Sequence, residues 1–232
     1  MVQLKTIKDY AFFYRDKLGL SVIPLYSYTP SVRKMYRFDW SPDKTRYATD
    51  VEIDEWFGDN KGTDERRKRK RPYNIGIVMG NISKVIGIDV DGSLAVKRIM
   101  KDKRPEMSTD LKTLLDTTMI NTSGSHKGIH IIFKRDESSI KEIVSQLPIW
   151  YASIDEMAAI GESRSDIRIM CNESYLVAPP SIHPNGKRYE WNGKAPQVIT
   201  RQQLVEFISV FGYDFFKRLS IDNDVLRHIE SI

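Results

Sequence analysis

Residues 85–92 read Val-Ile-Gly-Ile-Asp-Val-Asp-Gly, an apolar run that ends in two alternating carboxylates. In a β-strand successive side chains point to opposite faces. Ile86, Ile88 and Val90 therefore share one side, and Asp89 and Asp91 converge on the other with Cα atoms roughly 6.6 Å apart. Holding both ionised at the end of an apolar strand is costly unless a cation neutralises them, and hard oxygen donors of this kind suit Mg²⁺ or Mn²⁺. A polar strand end entering a turn at Gly92 produces the same pattern without a metal. A second stretch, Asp166-Ile167-Arg168-Ile169-Met170, alternates Asp and Arg with apolar residues. If it lies beside the first strand, Asp166 becomes a third carboxylate. Three carboxylates can hold two ions about 3.5–4 Å apart, an arrangement that activates a hydroxyl and stabilises a leaving pyrophosphate. The alternative for Asp166 is a surface ion pair with Arg164 or Arg168.

Between these strands runs Thr122-Ser123-Gly124-Ser125-His126-Lys127-Gly128-Ile129-His130. A small, polar, glycine-containing loop lets backbone amides approach an anion, and Lys127 and His130 can supply charge or donors to phosphates. A lone strand histidine is more often structural. No Gly-x-x-x-x-Gly-Lys-Ser/Thr occurs, so the chain carries no ATPase motor of that type.

Periodicity gives the frame. A helix from Ile7 to Leu18 ends at Gly19, and a short strand spans 21–25, where Pro24 restricts it to an edge or an end. Thr49 and Glu52 form a capping box for a helix over 50–57, closed by Gly58. Strands over 74–79 and 84–91, with a turn at 80–83, predict a hairpin. Ser93 is expected to cap a helix reaching Met100, and a further helix surrounds 111–115. Strands follow at 129–134, 166–170, 175–178 and 189–191, with a helix at 139–147. Thr200 caps a helix carrying Leu204, Phe207, Ile208 and Phe211, and 213–232 reads as one or two more helices. Mixed elements with several hairpins indicate an α+β (mixed α/β) fold, with a main domain over 1–199 and a helical tail over 200–232.

Charge is concentrated in one place. The chain of 232 residues has 36 Lys and Arg against 31 Asp and Glu, a net of +5. Arg66, Arg67, Lys68, Arg69, Lys70 and Arg71 form an unbroken run, and without them 30 basic residues face 31 acidic ones. Six like charges repel one another and stay solvated, either as an inert surface loop or as a grip on nucleic-acid phosphates through counterion release. A nuclear-import signal is a weaker third option. With 41% hydrophobic residues the rest can bury a substantial core. No apolar run approaches the roughly 20 residues of a membrane span, and the first ten residues lack a signal-peptide core. The single cysteine, Cys171, excludes an internal disulfide and a Cys-rich zinc module. A cytoplasmic location is expected.

Taken in order, Ile88-Asp89-Val90-Asp91-Gly92, then Ser123-Gly124 with Gly128-Ile129-His130, then Asp166-Ile167-Arg168 resemble the three motifs of the archaeo-eukaryotic primase superfamily. Within it the chain is most similar to the bifunctional primase-polymerases of plasmids, phages and other mobile elements. Residues 74–80 before the first motif, and Tyr175-Leu176-Val177-Ala178-Pro179-Pro180-Ser181 with Gly186 and Tyr189-Glu190-Trp191 after the third, extend the likeness over about residues 7–195. The resemblance implies a catalytic sheet like an RNA-recognition fold, packed with an N-terminal α/β subdomain. It implies Asp89, Asp91 and Asp166 as ligands of two Mg²⁺ or Mn²⁺ ions, His130 as the contact to the triphosphate, and Ser123, Gly124, Lys127, Gly128 and Arg168 as further nucleotide-binding residues. It also implies a single-stranded DNA template with primer, NTP or dNTP substrates, and a helicase or other replication or mobile-element protein as a candidate partner. Two departures stand out. The loop from Ser123 to His130 is longer than the family spacing, and one cysteine cannot build the zinc stem of some relatives. Two other classes fit parts of the pattern: a haloacid dehalogenase-like phosphatase, whose signature also starts Asp-x-Asp-Gly, and a non-catalytic nucleic-acid binder.

Overall fold

The computed structural model describes residues 4–25, 45–58, 74–136, 146–172 and 174–219. Two antiparallel-rich sheets and six α-helices fill this frame, an α+β architecture as the patterning indicates. The basic run at residues 66–71, most of the helix expected at 139–147, and residues 220–232 lie outside the described residues.

The smaller sheet has the order β1-β2-β8, formed by β1 (Val22–Leu25), β2 (Asn74–Val78) and β8 (Tyr175–Ala178), all antiparallel. The larger sheet has the order β6-β7-β3-β5-β4-β9, with β10 paired in parallel to the end of β5. Its strands are β3 (Val85–Asp91), β4 (Met119–Thr122), β5 (Gly128–Arg135), β6 (Gln146–Tyr151), β7 (Asp166–Met170), β9 (Glu190–Trp191) and β10 (Gln197–Ile199). The hairpin expected between β2 and β3 does not form. A single bridge, Gly80 to Val85, closes the turn, and the chain then crosses from one sheet to the other. The cause is pairing at long range: β2 is held by β1 and β8, and β3 by β5 and β7.

Alternation along the central strands sorts the two cores. Ile86, Ile88, Val90, Ile129, Ile131, Phe133, Ile167 and Ile169 bury one face of the large sheet beneath α3 (Ser93–Lys97), α4 (Thr109–Thr117) and α6 (Arg201–Leu219). The opposite face, through Val85, Met119, Ile132 and Met170, packs with the small sheet, α1 (Ile7–Asp16) and α2 (Asp50–Phe57). The layers are thus helices, large sheet, then small sheet with its two helices. Polar residues on the second face lie beyond the end of this packing.

Most helix ends follow the local sequence. Thr6 with Asp9 and Thr49 with Glu52 form complete capping boxes for α1 and α2. Thr200 and Gln203 exchange the same pair of bonds at the start of α6. Gly19, at φ +66, turns the chain out of α1 while the Leu20 N–H reaches back to the Tyr14 carbonyl. Ser93 departs from expectation. The N-cap of α3 is Gly92, and the Ala95 N–H is satisfied by Ser165 Oγ at 2.9 Å from a distant segment. The helix expected to reach Met100 instead passes into a π-turn, Arg98–Asp102. Residues 146 and 147, expected at the end of a helix, belong to strand β6. Helix α6 runs through residue 213 without a break, and Leu204, Phe207, Ile208 and Phe211 enter the main core.

Candidate active site

Strand β3 is the middle of the site because it pairs antiparallel on both sides. Asp91 stands opposite Asp166 on β7 and Gly128 on β5, and Asp89 stands opposite Arg168 and His130. Directly opposed residues share a sheet face. The juxtaposition conditional in the sequence, Asp166 beside Asp89 and Asp91, is therefore realised in the fold.

Asp166 is 1% exposed and is held by two guanidinium groups. Arg164 contacts it through Nε at 2.6 Å and a terminal nitrogen at 3.2 Å, and Arg168 through Nε at 3.1 Å and a terminal nitrogen at 3.2 Å. Both ion pairs weighed from the sequence are present, but around a buried carboxylate and not at the surface. Arg164 also bridges to Asp91, at 3.0 Å. Its hydrogen bonds to Asp166, reinforced by the charges of Asp91 and Asp89, hold its guanidinium well above the ordinary arginine pKa against the opposing effect of burial. Two carboxylates thus already converge on one cationic group.

His130 is buried and oriented from behind. Its Nδ1 lies 2.8 Å from the Val177 carbonyl of β8. A carbonyl only accepts, so Nδ1 carries a proton and Nε2 is the atom turned to Asp89, 3.5 Å from its Oδ1. The ring of Tyr189 lies between those of His130 and His183, 5.8 Å from each centroid.

The loop between β4 and β5 is shaped by short internal bonds. Ser123 N–H donates to the Gly128 carbonyl, His126 N–H to the Ser123 carbonyl, and the Ser123 and Ser125 hydroxyls lie 2.7 Å apart. His126 adopts φ +56, an uncommon conformation for a non-glycine residue. Gly124 presses against the segment after β8: a Cβ there would stand 2.6 Å from the Lys187 carbonyl oxygen and 2.8 Å from His183 Cβ. Across the gap, Lys127 Nζ faces Glu162 at 3.7 Å. Glu162 itself accepts both from the Ser93 backbone N–H and from the Ser93 hydroxyl.

These elements enclose a cavity of about 280 Å³ lined by Asp91, Ser123, Lys127, His130, Arg164 and Tyr189 among others. Gly128 also reaches its wall, whereas Asp89, Asp166, Arg168 and Gly124 do not. Among the described residues, no three His, Cys, Asp or Glu side chains form a group that can hold a metal ion. Arg164 fills the space between Asp91 and Asp166, and His130 engages Asp89. The donor set nevertheless has the right chemistry for a divalent cation, because oxygens of Asp91 and Asp166 already surround a positive group.

Arg164, Glu162, His183 and Tyr189 were not among the site residues expected from sequence. Arg164 was within reach of it, since residues 164, 166 and 168 share strand parity and hence one face. Glu162 and His183 arrive on loops, where no periodicity reports direction, and Tyr189, expected to open the strand at 189–191, precedes the observed strand Glu190–Trp191.

A family model described as bifunctional DNA primase/polymerase, N-terminal, matches residues 11–202. No curated protein matches the chain.

Proposed function

The chain belongs to the family of bifunctional DNA primase/polymerase N-terminal domains, and from that premise we propose that it is a template-directed nucleotidyltransferase that makes primers and extends them on single-stranded DNA. The observation that carries this reading is the cross-strand register: Asp91 beside Asp166, and Asp89 beside His130, at one end of a sheet and next to a polar cavity. Asp89, Asp91 and Asp166 would hold two divalent ions, Mg²⁺ or Mn²⁺. Those ions would supply the Lewis acidity that activates a primer 3′-hydroxyl and stabilises the departing pyrophosphate.

The protein's own groups then bind and orient. His130, fixed by Val177, presents Nε2 toward the carboxylates and the triphosphate. Lys127, Ser123 and the amides around Gly124 and Gly128 offer charge and donors to phosphate oxygens. Arg168 holds Asp166 in place. The basic residues Arg66 to Arg71 would grip template or primer phosphates. A helicase or another replication protein is the candidate partner for strand opening, unless the template is already single-stranded. The phosphatase alternative needs an aspartate open to attack phosphorus. Asp89 instead stands opposite His130 in the sheet, with Oδ1 3.5 Å from its Nε2.

The test supplies single-stranded DNA with and without an annealed primer, labelled NTPs or dNTPs, and Mn²⁺ or Mg²⁺. Wild type should give products that lengthen with the template, and Asp89→Ala should lower their formation on the order of 10²–10³-fold or more while leaving DNA binding intact. Products from unprimed template report the primase activity. No product with any metal and undiminished DNA binding would replace this reading with that of a non-catalytic binder, and template-independent phosphate release from a simple ester would point to the phosphatase.

A further inference from the structure

Arg164 presents a conflict of occupancy. It reaches both Asp166 oxygens and Asp91 Oδ2 at 2.6–3.2 Å, the same oxygens that a divalent ion in this site would need. A carboxylate oxygen directed at a guanidinium cannot at the same time offer its full charge to a metal. Arg164 and a metal ion therefore compete for this charge. The arrangement is suited to Arg164 yielding, for three reasons.

The first is tethering. The backbone of this segment is fixed, since Glu162 accepts from Ser93 N–H, Ser165 Oγ accepts from Ala95 N–H, and the Ser165 carbonyl accepts from Ala152 N–H at 2.9 Å. The Arg164 side chain, by contrast, is 46% exposed and lines the cavity. Its guanidinium can swing while its Cα stays. The second is redundancy. Arg168 reaches the same two Asp166 oxygens at 3.1–3.2 Å, longer than the 2.6 Å Arg164 contact, so departure of Arg164 leaves the buried carboxylate a counter-charge that it can share with a metal ion. The third is destination. Lys127, His130, Ser123 and Ser125 share the same cavity wall, a set of cations and hydroxyls that favours a polyanion.

We propose that Arg164 is an exchangeable cation of the site, neutralising Asp91 and Asp166 until a divalent ion takes their oxygens and then carrying its guanidinium to the phosphates of the incoming nucleotide. This rests on the nucleotidyltransferase reading above and adds to it a residue that contacts the substrate. Divalent charge arriving at the carboxylates repels the guanidinium, and the triphosphate attracts it, so metal and nucleotide drive the same movement.

The experiment measures Mn²⁺ binding without nucleotide, by the electron paramagnetic resonance signal of free Mn²⁺, for wild type, Arg164→Ala, Arg164→Gln and Asp91→Asn. It then measures the affinity of a non-hydrolysable nucleoside triphosphate in saturating Mn²⁺. Both Arg164 variants should bind Mn²⁺ more tightly, on the order of tenfold, and the nucleotide more weakly by a similar factor. A purely structural arginine would loosen both. Arg164→Gln keeps a donor for the carboxylates without the charge, so it separates loss of charge from loss of packing. If wild type binds Mn²⁺, Asp91→Asn weakens it, and the Arg164 variants are unchanged or weaker, the exchange is wrong and the metal reading stands. A nucleotide affinity that does not fall in the variants also overturns it. If neither wild type nor any variant binds Mn²⁺, the metal reading fails and the exchange with it.

Discussion

Gly92 and Gly87 lie on or just after the strand that carries the carboxylates, and alanine should be tolerated very differently at the two. Gly92 has φ +89, and a Cβ would stand 2.4 Å from Ser165 Oγ and 2.5 Å from the Arg164 carbonyl oxygen. The Arg164 carbonyl and Ser165 Cα, at 2.7 Å, are backbone, and the bonds made by Ser165 and Glu162 hold that segment in place, so it cannot retreat. Gly92→Ala should cost about 2–4 kcal/mol and displace Asp91 and Arg164 with it. At Gly87 the nearest atoms are Leu176 Cδ1 at 2.4 Å and Met79 Sδ at 2.9 Å, the ends of flexible side chains. Gly87→Ala should cost about 1–2 kcal/mol, by urea unfolding, and spare activity. The reverse ranking would mean that the segment before β7 is not pinned to the end of β3. At this scale the sequence shows which residues share a strand face, and so Asp89 with Asp91 and Asp166 with Arg168. It is silent on Glu162 and His183, whose directions depend on loops.

Helix α2 shows how much a single element encodes on its own. Its capping box lies within four consecutive residues, and Glu52 closes it while pairing with Arg46 at 2.6 and 2.8 Å. Arg46, followed by the Thr49 backbone and hydroxyl, lowers the Glu52 pKa from its ordinary 4.5 to about 2. A depressed carboxylate stabilises the fold above its ordinary pKa and loses that contribution as the pH falls through its folded value. The contribution of Glu52 is therefore full above about pH 4.5 and lost toward pH 2. Glu52→Gln should cost about 1 kcal/mol at pH 7, solvent screening keeping it near the range of exposed pairs, and almost nothing near pH 2. Thermal melts of both proteins across that range check it, and a gap that persists at pH 2 would contradict it. Helix α3 is the opposite case. Ser93 looks like a local cap, yet Gly92 occupies the cap position and Ser165 satisfies the exposed N–H from a different element. An N–H group accepts whichever oxygen the fold brings to it, and that choice is invisible in a sequence window.

Across the whole molecule, two stacked sheets separate the apolar helix layer from the polar end of the central strands. The basic run carries the excess positive charge of the chain, and its effect on nucleic acid should appear as salt dependence. Replacing Arg66 to Arg71 with neutral residues should weaken single-stranded DNA binding at low salt, and flatten its dependence on log salt by up to about 4. Unchanged affinity and slope would show that the run holds no phosphates. Strand alternation, the capping boxes at Thr6, Thr49 and Thr200, and the order of the three acidic and histidine motifs are properties of neighbouring residues, and the sequence by itself determines them. Strand partnership is different. Residues 74–78 and 85–91 look like the arms of a hairpin because they are adjacent and similar, but each forms more contact by pairing with distant strands, and the chain divides them between two sheets. That same long-range pairing sets Asp91 opposite Asp166 and Asp89 opposite His130. Only tertiary structure decides it, because hydrogen-bonded register and buried area are summed over the whole fold and no local stretch contains the sum.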